Sequence, residues 1–187
     1  MPDPTLTVRG RDVPTGVYLL HIHWPAAGAV AFGRFNGGEP VPLAAGDYLY
    51  AGSAMGRGAT ALAGRLLRHA TRCPPRPPHA WRADLAAALA AAGLPATPQS
   101  DKRRHWHIDY LLDEPAADLA HVWAARTAVP LEQPLVAWLA GRPDLHPAPR
   151  GLGASDHPGH THLWRLGPGL RWAALLPGLA AWWATVN

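Results

Sequence analysis

The sequence predicts an α/β fold of the α+β kind: a small, mainly antiparallel sheet flanked by helices, with an apolar C-terminal extension. Three observations carry that expectation. The run 16–24, GVYLLHIHW, alternates, with Tyr18, Leu20 and Ile22 on one face and Val17, Leu19 and His21 on the other. The run from 46 opens as a strand with Tyr48 and Tyr50 two apart, and Gly56 and Gly58 then turn the chain into a helical pattern with Leu62, Leu66 and Leu67 among alanines. Further helical patterns at 81–93 and 130–141 supply covering elements for such a sheet.

Taken in order, residues 1–15 carry three prolines and little periodicity, which predicts an irregular lead. After the 16–24 strand, Pro25 and Gly28 mark a turn, and 29–35, AVAFGRF, reads as the returning strand of a hairpin. Asn36-Gly37-Gly38 is a turn signal before the Tyr48 strand, so the first fifty residues predict a three-stranded antiparallel layer. Residues 73–79, CPPRPPH, cannot be helical, because proline lacks the amide donor and forces extended geometry. The alanine-rich helix at 81–93 ends on Gly93, a natural C-cap, and offers little to pack; residues 73–104 are therefore set apart as a peripheral insertion. HWHIDYLL at 105–112 reads as a strand with His105, His107 and Asp109 on one face. Residues 119–126 read as another strand, 143–161 as loop, and 162–187 as packing elements. The main domain is expected at 16–166, with 167–187 packed on it.

Composition narrows the classes. With 187 residues, 48% hydrophobic content and nine Trp, the chain can bury a core and is not a disordered segment. No signal-peptide pattern and no membrane-length apolar run are present, which predicts a soluble cytoplasmic protein with no membrane partner. The single Cys73 excludes an internal disulfide. Net charge is +4, and of the 17 basic residues only Lys102 is lysine, a bias expected of a GC-rich coding sequence. Distribution says more than the total. Residues 54–83 hold Arg57, Arg65, Arg68, Arg72, Arg76 and Arg82 without one Asp or Glu, and Lys102-Arg103-Arg104 make a second cluster. Arg65, Arg68, His69 and Arg72 fall at i, i+3, i+4 and i+7, one stripe of a helix. Two acid-free basic segments predict a polyanion-facing side, with Arg57, Arg68, Arg72, Lys102, Arg103 and Arg104 as its contacts.

Glu132 is one of only three glutamates. It stands three, four and seven residues before Leu135, Val136 and Leu139, on the apolar side of its helix; a helix starting near Pro134 makes it a first-turn carboxylate favoured by the dipole.

GVY at 16–18, YAG at 50–52, and an Arg and a His four apart on the next helix resemble the GIY-YIG nuclease superfamily. With HWHIDYLL and LGASDHPGHTHL, the pattern is similar to a divergent branch of it, long catalogued as a domain of unknown function and found alone or beside endonuclease III. The resemblance spans roughly residues 16–166. It implies a small GIY-YIG-like sheet, hydrolysis of phosphodiester bonds in DNA in preference to RNA, a role in DNA repair, and Mg²⁺ or Mn²⁺ as cofactor. It places Tyr18 and Tyr50 as the motif tyrosines, Arg65 and His69 as the helix pair, and Glu132 as the metal ligand. Tyr48, on the face of Tyr50, is an alternative hydroxyl. His105, His107, Asp109, Ser155, Asp156 and His162 are expected to support the site. The asparagine common in this superfamily has no counterpart, since Asn36 and Asn187 are the only asparagines, and His157 and Gly159 stand where the branch carries cysteines. Two other classes stay open: a non-catalytic nucleic-acid-binding module, and a zinc protein built on the 105–109 row and the 156–162 loop.

Overall fold

An alternating strand with two apolar faces needs a covering layer on each, and the fold supplies both. The computed structural model describes residues 5–149, 151–152 and 161–187. The strands are β1 (Thr5–Arg9), β2 (Gly16–Trp24), β3 (Gly28–Val30), β4 (Val41–Leu43), β5 (Gly46–Ala54), β6 (Asp118–Arg126), β7 (Leu145–Pro147) and β8 (Leu163–Leu166). The helices are α1 (Leu62–His69), α2 (Arg82–Ala91), α3 (His107–Leu112), α4 (Glu132–Ala140) and α5 (Trp172–Val186). Six strands form one sheet in the order β1-β6-β2-β5-β8-β7. Every neighbouring pair in it is antiparallel except β1–β6. The expected mainly antiparallel sheet flanked by helices is what forms.

The two faces of β2 set the two cores. Tyr18, Leu20 and Ile22 join Tyr48 and Tyr50 of β5, Leu62, Leu66 and Leu67 of α1, Leu85 and Leu89 of α2, and Ile108, Leu111 and Leu112 of α3. Val17 and Leu19 join Leu49 and Ala51 of β5, Leu135, Val136 and Leu139 of α4, and Leu175, Leu179 and Trp182 of α5. Each fully buried leucine contributes roughly 1.5–3 kcal/mol of transfer free energy, so either face left uncovered would leave the sheet unstable in water. Among the described residues no helix is long and apolar enough to cross a membrane.

Several local expectations are corrected. The lead is not irregular throughout: TLTVR forms β1, an edge strand parallel to β6. The segment after β2 does not return along it. Strand β3 stops at Val30 and pairs with β4 in a separate two-stranded ribbon, because Gly33, Asn36, Gly37 and Gly38 take positive φ and break any extended run. Helix α2 is no peripheral insertion, since Leu85 and Leu89 are wholly buried. Residues 107–112 are helical, not a strand. Ile108, Leu111 and Leu112 sit at i, i+3 and i+4 and face the core, while the Asp109 carboxylate accepts the backbone N–H groups of His105 and Trp106 at 2.9 and 3.1 Å and caps the helix start. The row of His105, His107 and Asp109 therefore does not exist as one face, and the zinc reading loses its first half. Ser155, Asp156, His157 and His160 lie outside the described residues.

Candidate active site

Tyr18 faces Gly52 across the β2–β5 ladder. A Cβ at Gly52 would stand 2.5 Å from the Tyr18 hydroxyl oxygen, so the glycine of YAG is what gives that phenol its room. The hydroxyl lies 2.8 Å from Nε2 of His69 on α1. The Tyr50 ring meets His69 edge-on, with centroids 6.3 Å apart, and lies 6.3 Å from His162 on its other flank.

The pairing of β5 with β8 ends at Tyr50 and Leu163, which leaves Ser53 beyond the end of β8. There Ser53 Oγ donates a hydrogen bond to Glu132 Oε2, and His162 Nδ1 stands 3.1 Å from Oε1. Glu132 begins α4, as a first-turn carboxylate, and its side chain keeps 27% exposure. Arg65 completes the group. Its Cζ sits 3.7 Å from the centroid of the Trp106 ring, and among the described residues no acceptor engages its N–H groups. Tyr18, Tyr50, Arg65 and Glu132, with Gly52, Ser53 and Trp106, line a cavity of about 220 Å³.

Electrostatics divides the roles. Burial, then the neighbouring Tyr50, pushes the Tyr18 phenol well above its ordinary pKa; burial raises Tyr50 likewise. Burial lowers His69 to about 3, so its ring is neutral near pH 7. Burial opposes ionisation of Glu132, but hydrogen bonds from His162 and Ser53 and the charges near it outweigh that and hold the carboxyl below the ordinary glutamate range. The cavity thus presents one ionised carboxylate and one guanidinium unpaired among the described residues, beside a neutral phenol–imidazole pair.

A scan of family models matches residues 17–173 to the Domain of unknown function DUF123. The chain belongs to the DUF123 family. No curated protein and no solved structure matches it. The DUF123 match spans every residue of the cavity, from Tyr18 to Glu132, together with His162.

Within this DUF123 chain five of the expected residues converge: Tyr18, Tyr50, Arg65, His69 and Glu132. His162 supports them through Glu132. Tyr48 does not, because its hydroxyl donates to Ala44 O at 2.7 Å, away from the cavity. The basic stripe is corrected most heavily. Helix α1 ends at His69, so Arg72 is not on it; Arg72 turns inward to the carbonyls of Leu112 and Ala117. Arg68 pairs with the Asp109 carboxylate at 2.8 Å. Lys102, 3% exposed, sits 3.3 Å from both Asp109 and Asp113 and donates to Thr71 O. Arg104 pairs with Asp113 at 2.8 Å and covers the Tyr110 ring. Of the six nucleic-acid contacts expected, only Arg57 and Arg103 are exposed with side chains unpaired among the described residues. His105 packs edge-on against Trp106, and His107 against Phe35. Ser53 and Trp106 were not foreseen. A strand serine carries no signal of its own, and Trp106 reads as one more core aromatic until the fold sets it over Arg65.

The buried ionisable groups make stability depend on pH. Unfolded imidazoles take up protons near 6.5, whereas His69 and His79, both lowered by burial, do so only near 3. The unfolded state therefore binds more protons throughout that interval, and stability falls as pH drops through it, by about 1.4 kcal/mol per pH unit for each ring. Asp109 is held at about 2, as Lys102, His69 and Arg68 overcome its burial, and extends the loss below 3.8. Urea midpoints measured between pH 7 and 4 should fall steadily, and His69→Gln should flatten the slope by about one proton. An unchanged slope would mean that His69 is not buried neutral.

Proposed function

We propose that this protein is a divalent-cation-dependent nuclease that hydrolyses phosphodiester bonds in nucleic acid, DNA in preference to RNA. The observation that supports it is the convergence on one small cavity of a guanidinium unpaired among the described residues, an ionised carboxylate and a phenol–imidazole pair. Phosphodiester hydrolysis needs those parts: positive charge for the developing phosphorane oxygens, a path for the water's proton, and an anchor for a metal.

Arg65 takes the phosphate. Its planar fork reaches two phosphate oxygens, and the Trp106 face holds the side chain without neutralising it, as a carboxylate partner would. Tyr18 contacts the attacking water. A phenol above its ordinary pKa does not act from the phenolate; its oxygen accepts the water's proton as its own proton passes to His69 Nε2. The negative charge of the bound diester favours the imidazolium that results. Tyr50 packs His69 in place.

Among the described residues no three His, Cys, Asp or Glu side chains converge as a metal cage. The donor these residues offer at the cavity is the Glu132 carboxylate, ionised and aimed by Ser53 and His162. That suits Mg²⁺ or Mn²⁺, which keeps several waters and binds through few carboxylates. When bound, the ion supplies further positive charge at the phosphate.

Glu132→Gln and Tyr18→Phe separate catalysis from binding. Cleavage should fall by at least about two powers of ten in each, with nucleic-acid affinity largely kept, because neither substitution removes a cationic side chain. Cleavage undiminished in Glu132→Gln would remove the carboxylate from the mechanism. Retained binding with no cleavage in the wild type would leave a non-catalytic binding module.

A further inference from the structure

We propose that the groove beside this cavity is a second phosphate subsite, which takes a neighbouring phosphodiester of the same nucleic-acid strand. The groove encloses about 610 Å³ and meets the smaller cavity at Arg65 and Trp106, which line both. Residues of the 99–105 segment also line it, Arg103 and His105 among them. Four guanidinium groups line the groove, and the fold has used two of them. Arg68 is committed to Asp109 and Arg104 to Asp113, each at 2.8 Å. Arg65 and Arg103 have no acceptor for their side-chain N–H groups among the described residues, so their charge is available to an anion. Asp101, which also lines the groove, supplies one opposing charge and limits it to a modest anion. A ligand reaching both sides of the Arg65–Trp106 wall needs an anion on each side, and consecutive phosphodiesters provide that. A lone phosphate does not.

The inference rests on the smaller cavity being the cleavage site, and binding distinguishes the two. The probes are a labelled thymidine oligonucleotide of about ten nucleotides and thymidine 5′-(4-nitrophenyl phosphate), whose single diester fills one cavity only. Affinities are measured with Ca²⁺ over a range of salt. Arg103→Ala should weaken the oligonucleotide about tenfold and lower its salt slope by about 0.7, the release expected for one phosphate contact on a single strand. Its effect on the single diester should be at least about five times smaller. Arg171→Ala removes the same charge at the start of α5, on the opposite face of the sheet, and should change neither probe. Equal losses from Arg103→Ala and Arg171→Ala, equal losses on both probes, an unchanged salt slope, or no oligonucleotide binding by the wild type would each overturn the subsite. Failure of the nuclease reading shows separately, as no turnover of either probe with Mg²⁺ or Mn²⁺.

Discussion

Arg65→Ala is expected to lower the single-turnover cleavage rate by about two to three powers of ten, because it removes one preorganised charge from the transition state. The fold should hardly register the change. Among the described residues the Arg65 side chain makes no hydrogen bond or ion pair, and the Trp106 contact it gives up is worth about 0.5–2 kcal/mol. Arg65→Lys keeps the charge but not the fork and should recover only part of the rate. A rate within threefold of wild type for Arg65→Ala would place the phosphate elsewhere. Trp106→Ala provides the companion measurement: with the guanidinium present but unsupported, the rate should fall while the net charge stays the same.

Asp109→Ala is expected to be the most destabilising single substitution at the site, by about 3–5 kcal/mol in urea unfolding. The side chains of Asp109 and Lys102 are both fully buried, and the carboxylate also holds Arg68 and caps α3 through the N–H groups of His105 and Trp106. Removing it leaves two cations facing each other with only Asp113 and carbonyl oxygens to balance them. Asp109→Asn, which keeps the size and an acceptor for the cap, should lose less. Adding Lys102→Met to Asp109→Ala should restore part of the loss, since the surplus charge goes with it; additive losses would mean that the pair is not coupled.

That carboxylate also explains where sequence reading stopped. Strands β2 and β5 and helices α1 and α4 were legible because long alternation and i, i+3, i+4 spacing each have one structural solution. HWHIDYLL satisfies both patterns over eight residues. The choice between them is made by Asp109, whose partner Arg68 lies 41 residues away in sequence. The arginines show the same gap. Charge content says that cations are present, whereas only the fold shows that Arg72 turns to the carbonyls of Leu112 and Ala117 while Arg103 stays outside. At the cavity, Tyr18, Tyr50, Arg65, His69 and Glu132 were singled out through the family resemblance, and the fold brings them together. Ser53 and Trp106 matter only through contacts made across the chain, to Glu132 and Arg65, and no local pattern announces those.

The central claim is hydrolysis of a nucleic-acid phosphodiester at the Tyr18–Arg65–Glu132 cavity. The most direct measurement incubates the full chain with labelled duplex, flap, branched and single-stranded DNA, and with RNA, in Mg²⁺, Mn²⁺ or EDTA. The predicted result is cleavage of at least one DNA substrate with either metal, lost in EDTA and lost in Glu132→Gln protein that still binds that substrate. Intact substrates under every metal condition, with wild-type protein bound to them, would contradict it.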